Sequence, residues 1–143
     1  MASGRMADAQ QNGMLSHLSF GVADLARSIA FYDAALGALG YTRIWTEEHA
    51  AGYGVANRPE ELALFVRAGA APAGPGFHLA FTAPSPRAVD AFHAACLRQG
   101  GRDLGAPGLR PQYGAGYYAA FATDPDGHKI EAVHAASATE VTV

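Results

Sequence analysis

Hydrophobic and polar residues alternate near the start of the chain and then change to a helical spacing. Residues 17–20 (His-Leu-Ser-Phe) have the period of two that is typical of a half-buried strand. Asp24 is placed to cap a helix that extends from Leu25 to about Leu36. Three short strands are predicted to follow, at 41–46, 52–56 and 62–66. The first half of the chain therefore has the element order βαβββ.

The pattern begins again after a Gly/Pro-rich linker at 69–76. Residues 78–81 predict a strand, and Ser85 with Pro86 begins a helix that ends near Gln99. A loop through Pro107 and Pro111 then leads to a hairpin, with strands at 117–123 and 128–133 around the turn Asp-Pro-Asp-Gly at 124–127.

The two halves also share residues when the chain is aligned on itself with His17 on His78. Identical residues meet at the positions of Leu18, Phe20, Ala30, Phe31, Ala34, Leu36 and Gly40. Amphipathic helices after strands share apolar positions by chance, but the shared histidine and the repeated order favour a true duplication. We interpret the chain as one α+β domain at 14–134, built from modules at about 14–68 and 77–134, with tails at 1–13 and 135–143.

Composition and charge narrow the possible functions. The 143 residues suffice for one ordinary globular domain, and half of them are apolar. A net charge of −3 without a basic cluster argues against nucleic acid as a partner. No apolar run approaches the roughly 20 residues of a membrane span, and no secretory signal is seen. The single cysteine, Cys96, excludes an internal disulfide, so we expect a cytoplasmic protein.

Three residues on predicted strands could bind a metal. His17 and His78 begin equivalent strands and lie on the face opposite to the one that packs on the helix. A four-residue hairpin loop pairs Ala120 with Glu131, which places Glu131 and Tyr118 on one face. Two imidazoles and one carboxylate on three strands match a 2-His-1-carboxylate site.

Each of these residues also has an ordinary interpretation. A lone histidine at a strand start is more often a surface or hydrogen-bonded residue, and Glu131 alone could be a solvated charge. The repeated position of the two histidines favours the metal hypothesis. The other histidines are expected to be structural or solvated, with His128 exposed: His49, His93, His128 and His134. Cys96 is expected to be a small buried residue rather than a nucleophile.

Four features together resemble the vicinal oxygen chelate superfamily, which includes glyoxalase I, extradiol dioxygenases, and fosfomycin and bleomycin resistance proteins. They are the two strand-initial histidines, the segment DLARSIAFYDAALGALGY and the ending DPDGHKIEAV. The stretch GLRPQYGAGYY is similar to that of short bacterial glyoxalase-like proteins. The resemblance extends over residues 14–134.

The resemblance implies two βαβββ modules whose curved mixed sheets surround a cleft with one divalent metal. His17, His78 and Glu131 match three ligand positions of the family. Glyoxalase I has a fourth ligand, a Glu on the last strand of the first module. The internal repeat places Leu64 there and turns Glu61 to the opposite side, which counts against glyoxalase I. Tyr118 is either an acid–base residue or an aromatic wall of the cavity.

We therefore expect a metal-dependent enzyme in which a Zn, Ni, Mn or Fe ion chelates adjacent oxygens of a small substrate. The reaction class, whether lyase, dioxygenase or transferase, stays open, and Glu131 is the expected proton-transfer residue. The alternative is a non-catalytic binding protein of the bleomycin-resistance kind. The resemblance also implies a homodimer. Further candidates for contact with a ligand are Trp45, Tyr53, Tyr113, Tyr117, Tyr118, Arg43 and Arg110.

Overall fold

The computed structural model describes residues 13–136. The first module contains β1 (Leu18–Val22), α1 (Leu25–Gly37), β2 (Thr42–Thr46), β3 (Ala50–Gly54) and β4 (Leu62–Val66). The second contains β5 (Leu79–Thr82), α2 (Pro86–Arg98), β6 (Asp103–Leu109), β7 (Tyr117–Thr123) and β8 (Lys129–Ala135), with a 3-10 turn at Pro111–Tyr113 between β6 and β7.

The predicted βαβββ duplication is confirmed. The strand order is β1-β4-β3-β2 in one four-stranded sheet and β5-β8-β7-β6 in the other. The first strand of each module runs parallel to the last, and the remaining neighbours are antiparallel. Both helices start as predicted, because the side chains of Asp24 and Ser85 accept hydrogen bonds from the N–H groups of Arg27 and Ala88.

Strand β6 lies where the sequence predicted a loop. Its residues, Asp-Leu-Gly-Ala-Pro-Gly-Leu, carry little strand propensity. The strand forms at the edge of its sheet with register shifts around Gly105 and Gly108, and an edge is where proline can be accommodated. Pairing with β7, a tertiary contact, decides the conformation of this segment.

The hairpin before the C-terminus has a different register from the predicted one. Thr123 pairs with Lys129 and Phe121 pairs with Glu131, so the expected pairing of Ala120 with Glu131 is wrong. Asp124 is the cause, because its Oδ1 accepts the backbone N–H groups of Asp126 and His128 and keeps both in the turn.

The two modules pack through their helices. Phe31, Tyr32 and Ala35 of α1 and Phe92 and Cys96 of α2 are completely buried in one shared core. Burial raises the pKa of the Cys96 thiol to about 12, which keeps it protonated and unreactive, as expected for a buried structural residue.

His128 is buried, and the expectation that it is exposed is wrong. Its ring stacks on Phe20 of the first module with a centroid separation of 4.2 Å, and its Nε2 lies 2.9 Å from the carbonyl oxygen of Gly21. The neighbouring Asp126 accepts a hydrogen bond from the N–H of Ala23. The hairpin turn is therefore one of the joints between the modules.

Most of the two predicted tails lies outside the residues that the structure describes. Residues 1–12 of the predicted N-terminal tail and 137–143 of the C-terminal tail lie outside the described residues. Strand β8 continues through Ala135, one residue into the predicted C-terminal tail. Within residues 13–136, neither helix is long and apolar enough to cross a membrane.

Candidate metal centre

Glu131 occupies the middle of β8 on the sheet face that points away from the helices. Its neighbours Ile130 and Ala132 point into the core beneath α2, and the alternation of a strand turns Glu131 to the other side. The residue is only 1% exposed. A buried carboxylate is costly unless polar partners satisfy it, so the groups around it matter.

His78 is the first of these partners. It immediately precedes β5, which runs parallel to β8 with Ala80 opposite Glu131. The imidazole Nε2 lies 3.0 Å from Oε1 of Glu131, and about half of the imidazole side chain stays open to solvent. Two of the three predicted ligands therefore meet in one module.

Tyr117 is the second partner, although its place in the sequence predicts only an aromatic contact with a ligand. Its hydroxyl donates a short hydrogen bond to Oε2 of Glu131. Burial, reinforced by this bond, raises the pKa of Tyr117 to about 12, so the phenol remains a neutral donor. The correct hairpin register would have identified it, because Tyr117 and Phe121 then share the face of Glu131.

Tyr118 lies on the opposite face, so its predicted position beside Glu131 is wrong. A register displaced by one residue reverses every side chain of a strand. The Tyr118 hydroxyl donates to Asp90 of α2 at 2.6 Å, and this bond raises the pKa of the phenol.

His17 stands apart from this pair. It is exposed just before β1, and its Nδ1 lies 3.0 Å from the hydroxyl of Ser16. It faces a cavity of about 200 Å³ that is also lined by Tyr41, Tyr53 and Glu61. Among residues 13–136, no three His, Cys, Asp or Glu side chains lie close enough to hold an ion. A single chain thus brings together His78 and Glu131 but not His17.

The position equivalent to Glu131 in the first module is Ala63, and the expectation of Leu64 is wrong. Ala63 pairs with Ser19 on β1 as Glu131 pairs with Ala80 on β5. Leu64 is fully buried in the core. Glu61, two residues before Ala63, has the parity of the Ala63 face rather than of the opposite one. The first module therefore has His17 where the second has His78, but Ala63 where the second has Glu131.

The other predicted pocket residues divide into two groups. Tyr53 and Arg43 both bind Asp33 of α1, at 2.8 Å and 3.1 Å, and are thereby occupied on the helix side. The remaining residues lie on the faces of Ala63 and Glu131: the Trp45 indole covers Gly52, Arg110 stacks over Phe121, and Tyr113 contacts Tyr117.

Comparison with known proteins identifies the family. The profile of the Glyoxalase/Bleomycin resistance protein/Dioxygenase superfamily matches residues 14–132. The chain belongs to this superfamily. Members of the superfamily are also found among the solved structures that it resembles, whereas a search of curated protein sequences gives no match.

Two solved structures of the superfamily illustrate the likeness. A glyoxalase/bleomycin resistance protein from Albidiferax ferrireducens T118 is 37% identical, with a TM-score of 0.76 over 85% of this chain and 99% of that chain. A V278E mutant of glyoxalase I from Zea mays is 26% identical, with a TM-score of 0.64 over 82% of this chain and 44% of that chain. The superfamily therefore includes enzymes with this fold.

Proposed function

We propose that this protein is a metal-dependent enzyme whose site binds one divalent ion through His78 and Glu131 of one chain and His17 of a second copy. The buried Glu131 carboxylate, hydrogen-bonded to the His78 imidazole on the sheet face away from the helices, is the observation that carries this proposal. The substrate is a small molecule with adjacent oxygen atoms.

The donor set fits a first-row transition ion. Imidazole nitrogen and carboxylate oxygen suit Zn, Ni, Mn or Fe better than Ca or Mg. The Glu131–Tyr117 hydrogen bond fixes one carboxylate oxygen and leaves the other beside His78, an arrangement that orients a ligand through its outer partner.

A divalent ion bound there would act as a Lewis acid toward adjacent oxygens of a substrate. The chain itself supplies a carboxylate, Glu131, that can accept a proton, and a phenol, Tyr117, that holds this carboxylate in place. The half-exposed edge of His78 leaves access from solvent. Whether the reaction is that of a lyase, a dioxygenase or a transferase depends on the substrate.

A homodimer would complete the site. His78 and Glu131 belong to one sheet, His17 lies just before β1 of the other, and within residues 13–136 the two sheets share no strand pairing. In a two-fold dimer, the first of these sheets in one copy meets the second in the other twice, which makes two equivalent sites. Light scattering at micromolar concentration should therefore report twice the chain mass, and a monomer would contradict the dimer.

Metal analysis of protein purified without a histidine tag tests the ligand set. We expect close to one ion per chain in the wild type and strong loss of metal in Glu131→Gln and His78→Ala. The variant His49→Ala, which removes an exposed loop histidine, is the matched control and should keep its metal. Undiminished metal in Glu131→Gln would refute the site, and a metal-free wild type would favour the binding protein without catalysis.

Mixing two variants that are each expected to lose metal tests whether the site is shared between two chains. His17→Ala and Glu131→Gln homodimers should each lose metal. Heterodimers formed by co-refolding have one intact site per dimer and should therefore regain part of the bound metal. No regain in verified heterodimers would place all ligands within one chain. A thermal-shift screen of dicarbonyl, catechol and thiol compounds on the metal-loaded protein then narrows the substrate class.

A further inference from the structure

Arg110 stands out because its guanidinium lies on the same sheet face as Glu131 without an acidic partner. Its central carbon lies 5.5 Å from the centroid of the Phe121 ring, and Phe121 is directly opposite Glu131 on the neighbouring strand. Among residues 13–136, no carboxylate is within salt-bridge distance of it, whereas Arg43 pairs with Asp33 and Arg27 with Asp126.

Two glycines make the space that the guanidinium occupies. A Cβ atom on Gly105 would come within 3.3 Å of Nη2, and one on Gly108 within 3.1 Å of Nη1. The irregular register of β6 places both glycines beneath the side chain. Backbone bonds fix its base, because the N–H of Arg110 donates to the carbonyl of Tyr117 at 2.8 Å. The position of the guanidinium is thus determined by the sheet around it.

Most of the hydrogen-bonding capacity of Arg110 remains available. Nη2 donates to the carbonyl of Ala106 at 2.6 Å, and the other N–H groups of the fork have no partner within the described residues. A half-buried cation that lacks a counter-ion gains from a planar anion, because the guanidinium fork matches a carboxylate in two parallel hydrogen bonds.

Phe121 connects this cation to the proposed metal ligands. The His78 ring lies 6.3 Å from the Phe121 centroid, so the imidazole and the guanidinium flank the same aromatic ring. A small molecule that lies between these two groups, beside Phe121, can therefore reach both. The first module has an arginine stacked on a phenylalanine as well, Arg67 over Phe65, but Ala63 occupies the position of Glu131.

We infer that Arg110 binds the carboxylate of an anionic substrate whose other end lies at His78 and Glu131. The inference rests on the proposed function only for the end of the substrate that lies at His78 and Glu131. The site selects small carboxylic acids over their neutral analogues, with the body of the molecule between Arg110 and His78.

Binding of benzoate and of benzamide to metal-free protein in EDTA tests the inference, because the two probes share shape and differ in charge. We expect benzoate to bind at least about tenfold more tightly than benzamide, since a hydrogen-bonded ion pair is worth at least that factor. The Nε–Hε signal of Arg110 in ¹H–¹⁵N NMR spectra should shift on addition of benzoate.

Variants separate the role of Arg110 from general charge. Arg110→Gln should lose the preference for benzoate, and Arg110→Lys, which keeps the charge but not the fork, should retain only part of it. Arg98→Gln removes an exposed arginine at the end of α2 and should bind benzoate as the wild type does. If Arg110→Gln does not fold, Arg110→Lys and the comparison of benzoate with benzamide decide whether Arg110 binds the carboxylate.

Equal binding of the two probes, or unchanged benzoate affinity in a folded Arg110→Gln, would overturn the inference. Metal content is measured on the same samples. Carboxylate selectivity in a protein that binds no metal would sustain the role of Arg110 and refute the proposed enzyme. Metal binding without carboxylate selectivity would support the proposed enzyme and refute the role of Arg110.

Discussion

Glu131 and Ala63 occupy the same position in the two modules and show what a buried charge demands of its surroundings. Ala63 needs no polar partner, whereas the Glu131 carboxylate is held by His78 and Tyr117. Within the described residues, every buried side-chain nitrogen or oxygen has a hydrogen-bond partner. The second module therefore has a buried, hydrogen-bonded carboxylate at a position where the first has an alanine.

Removing the Tyr117 hydroxyl tests this cluster. Tyr117→Phe deprives a buried carboxylate of a donor, so the free energy of unfolding should fall by about 1–3 kcal/mol in urea denaturation at neutral pH. Tyr118→Phe removes the same group from an exposed contact with Asp90 and should cost only about 0.5 kcal/mol. Equal losses in both variants would show that Tyr117 does not support Glu131.

At the scale of elements, a contact between α2 and β6 stabilises β6, whose residues have little strand propensity. Asp103, the first residue of β6, accepts the N–H of Gly105 and lies 2.9 Å from Nε2 of His93 on α2. The carboxylate thereby attaches the edge strand to the helix that covers the sheet. These two bonds, with that to His93 the stronger, hold the pKa of Asp103 below its usual value of 3.8.

This lowered pKa predicts a loss of stability in acid. Between the two pKa values the unfolded chain binds more protons at Asp103 than the folded protein, so the stabilisation is complete above a pH of about 4 and disappears as the pH falls through the folded pKa. Asp103→Asn should therefore unfold at lower temperature than the wild type near neutral pH, with a difference that shrinks toward pH 3.

Thermal unfolding followed by circular dichroism across this pH range measures the effect. Glu47→Gln, which neutralises an exposed carboxylate in the turn after β2, is the control and should leave the profile unchanged. A difference between Asp103→Asn and the wild type that stays constant with pH would contradict the prediction.

The whole molecule depends on how one module binds the other. Tyr32 of α1 donates to Oδ2 of Asp124 at 2.7 Å, and both residues are buried. Burial raises the pKa of Asp124, while the bonds from Tyr32 and the turn oppose this rise. Since both helices share one core, we expect the two modules to unfold together.

Tyr32→Phe tests this joint. Loss of a donor to the buried Asp124 should lower the free energy of unfolding by about 1–3 kcal/mol while the transition stays cooperative. Tyr41→Phe breaks another bond between the modules, to the carbonyl of Thr82, but in an exposed place, and should cost less. Two separate transitions in the wild type would contradict a single cooperative unit. Equal losses in both variants would contradict the greater contribution of the buried Tyr32–Asp124 bond.

The sequence was sufficient where local signals are strong. Asp24 and Ser85 begin the helices, the span of β4 at 62–66 agrees with the prediction, and the repeated histidines indicate a duplicated module. Capping, periodicity and turn residues act over a few positions, so they can be recognised in the linear chain.

Tertiary structure decided the features that depend on distant partners. The segment of β6 becomes a strand only because β7 pairs with it. The Asp124 turn, which the distant Tyr32 of α1 also binds, moves the hairpin register by one residue and brings Tyr117 rather than Tyr118 to Glu131. Side-chain direction reverses with each residue of a strand, so the composition of a site depends on a register that the sequence pattern alone does not specify.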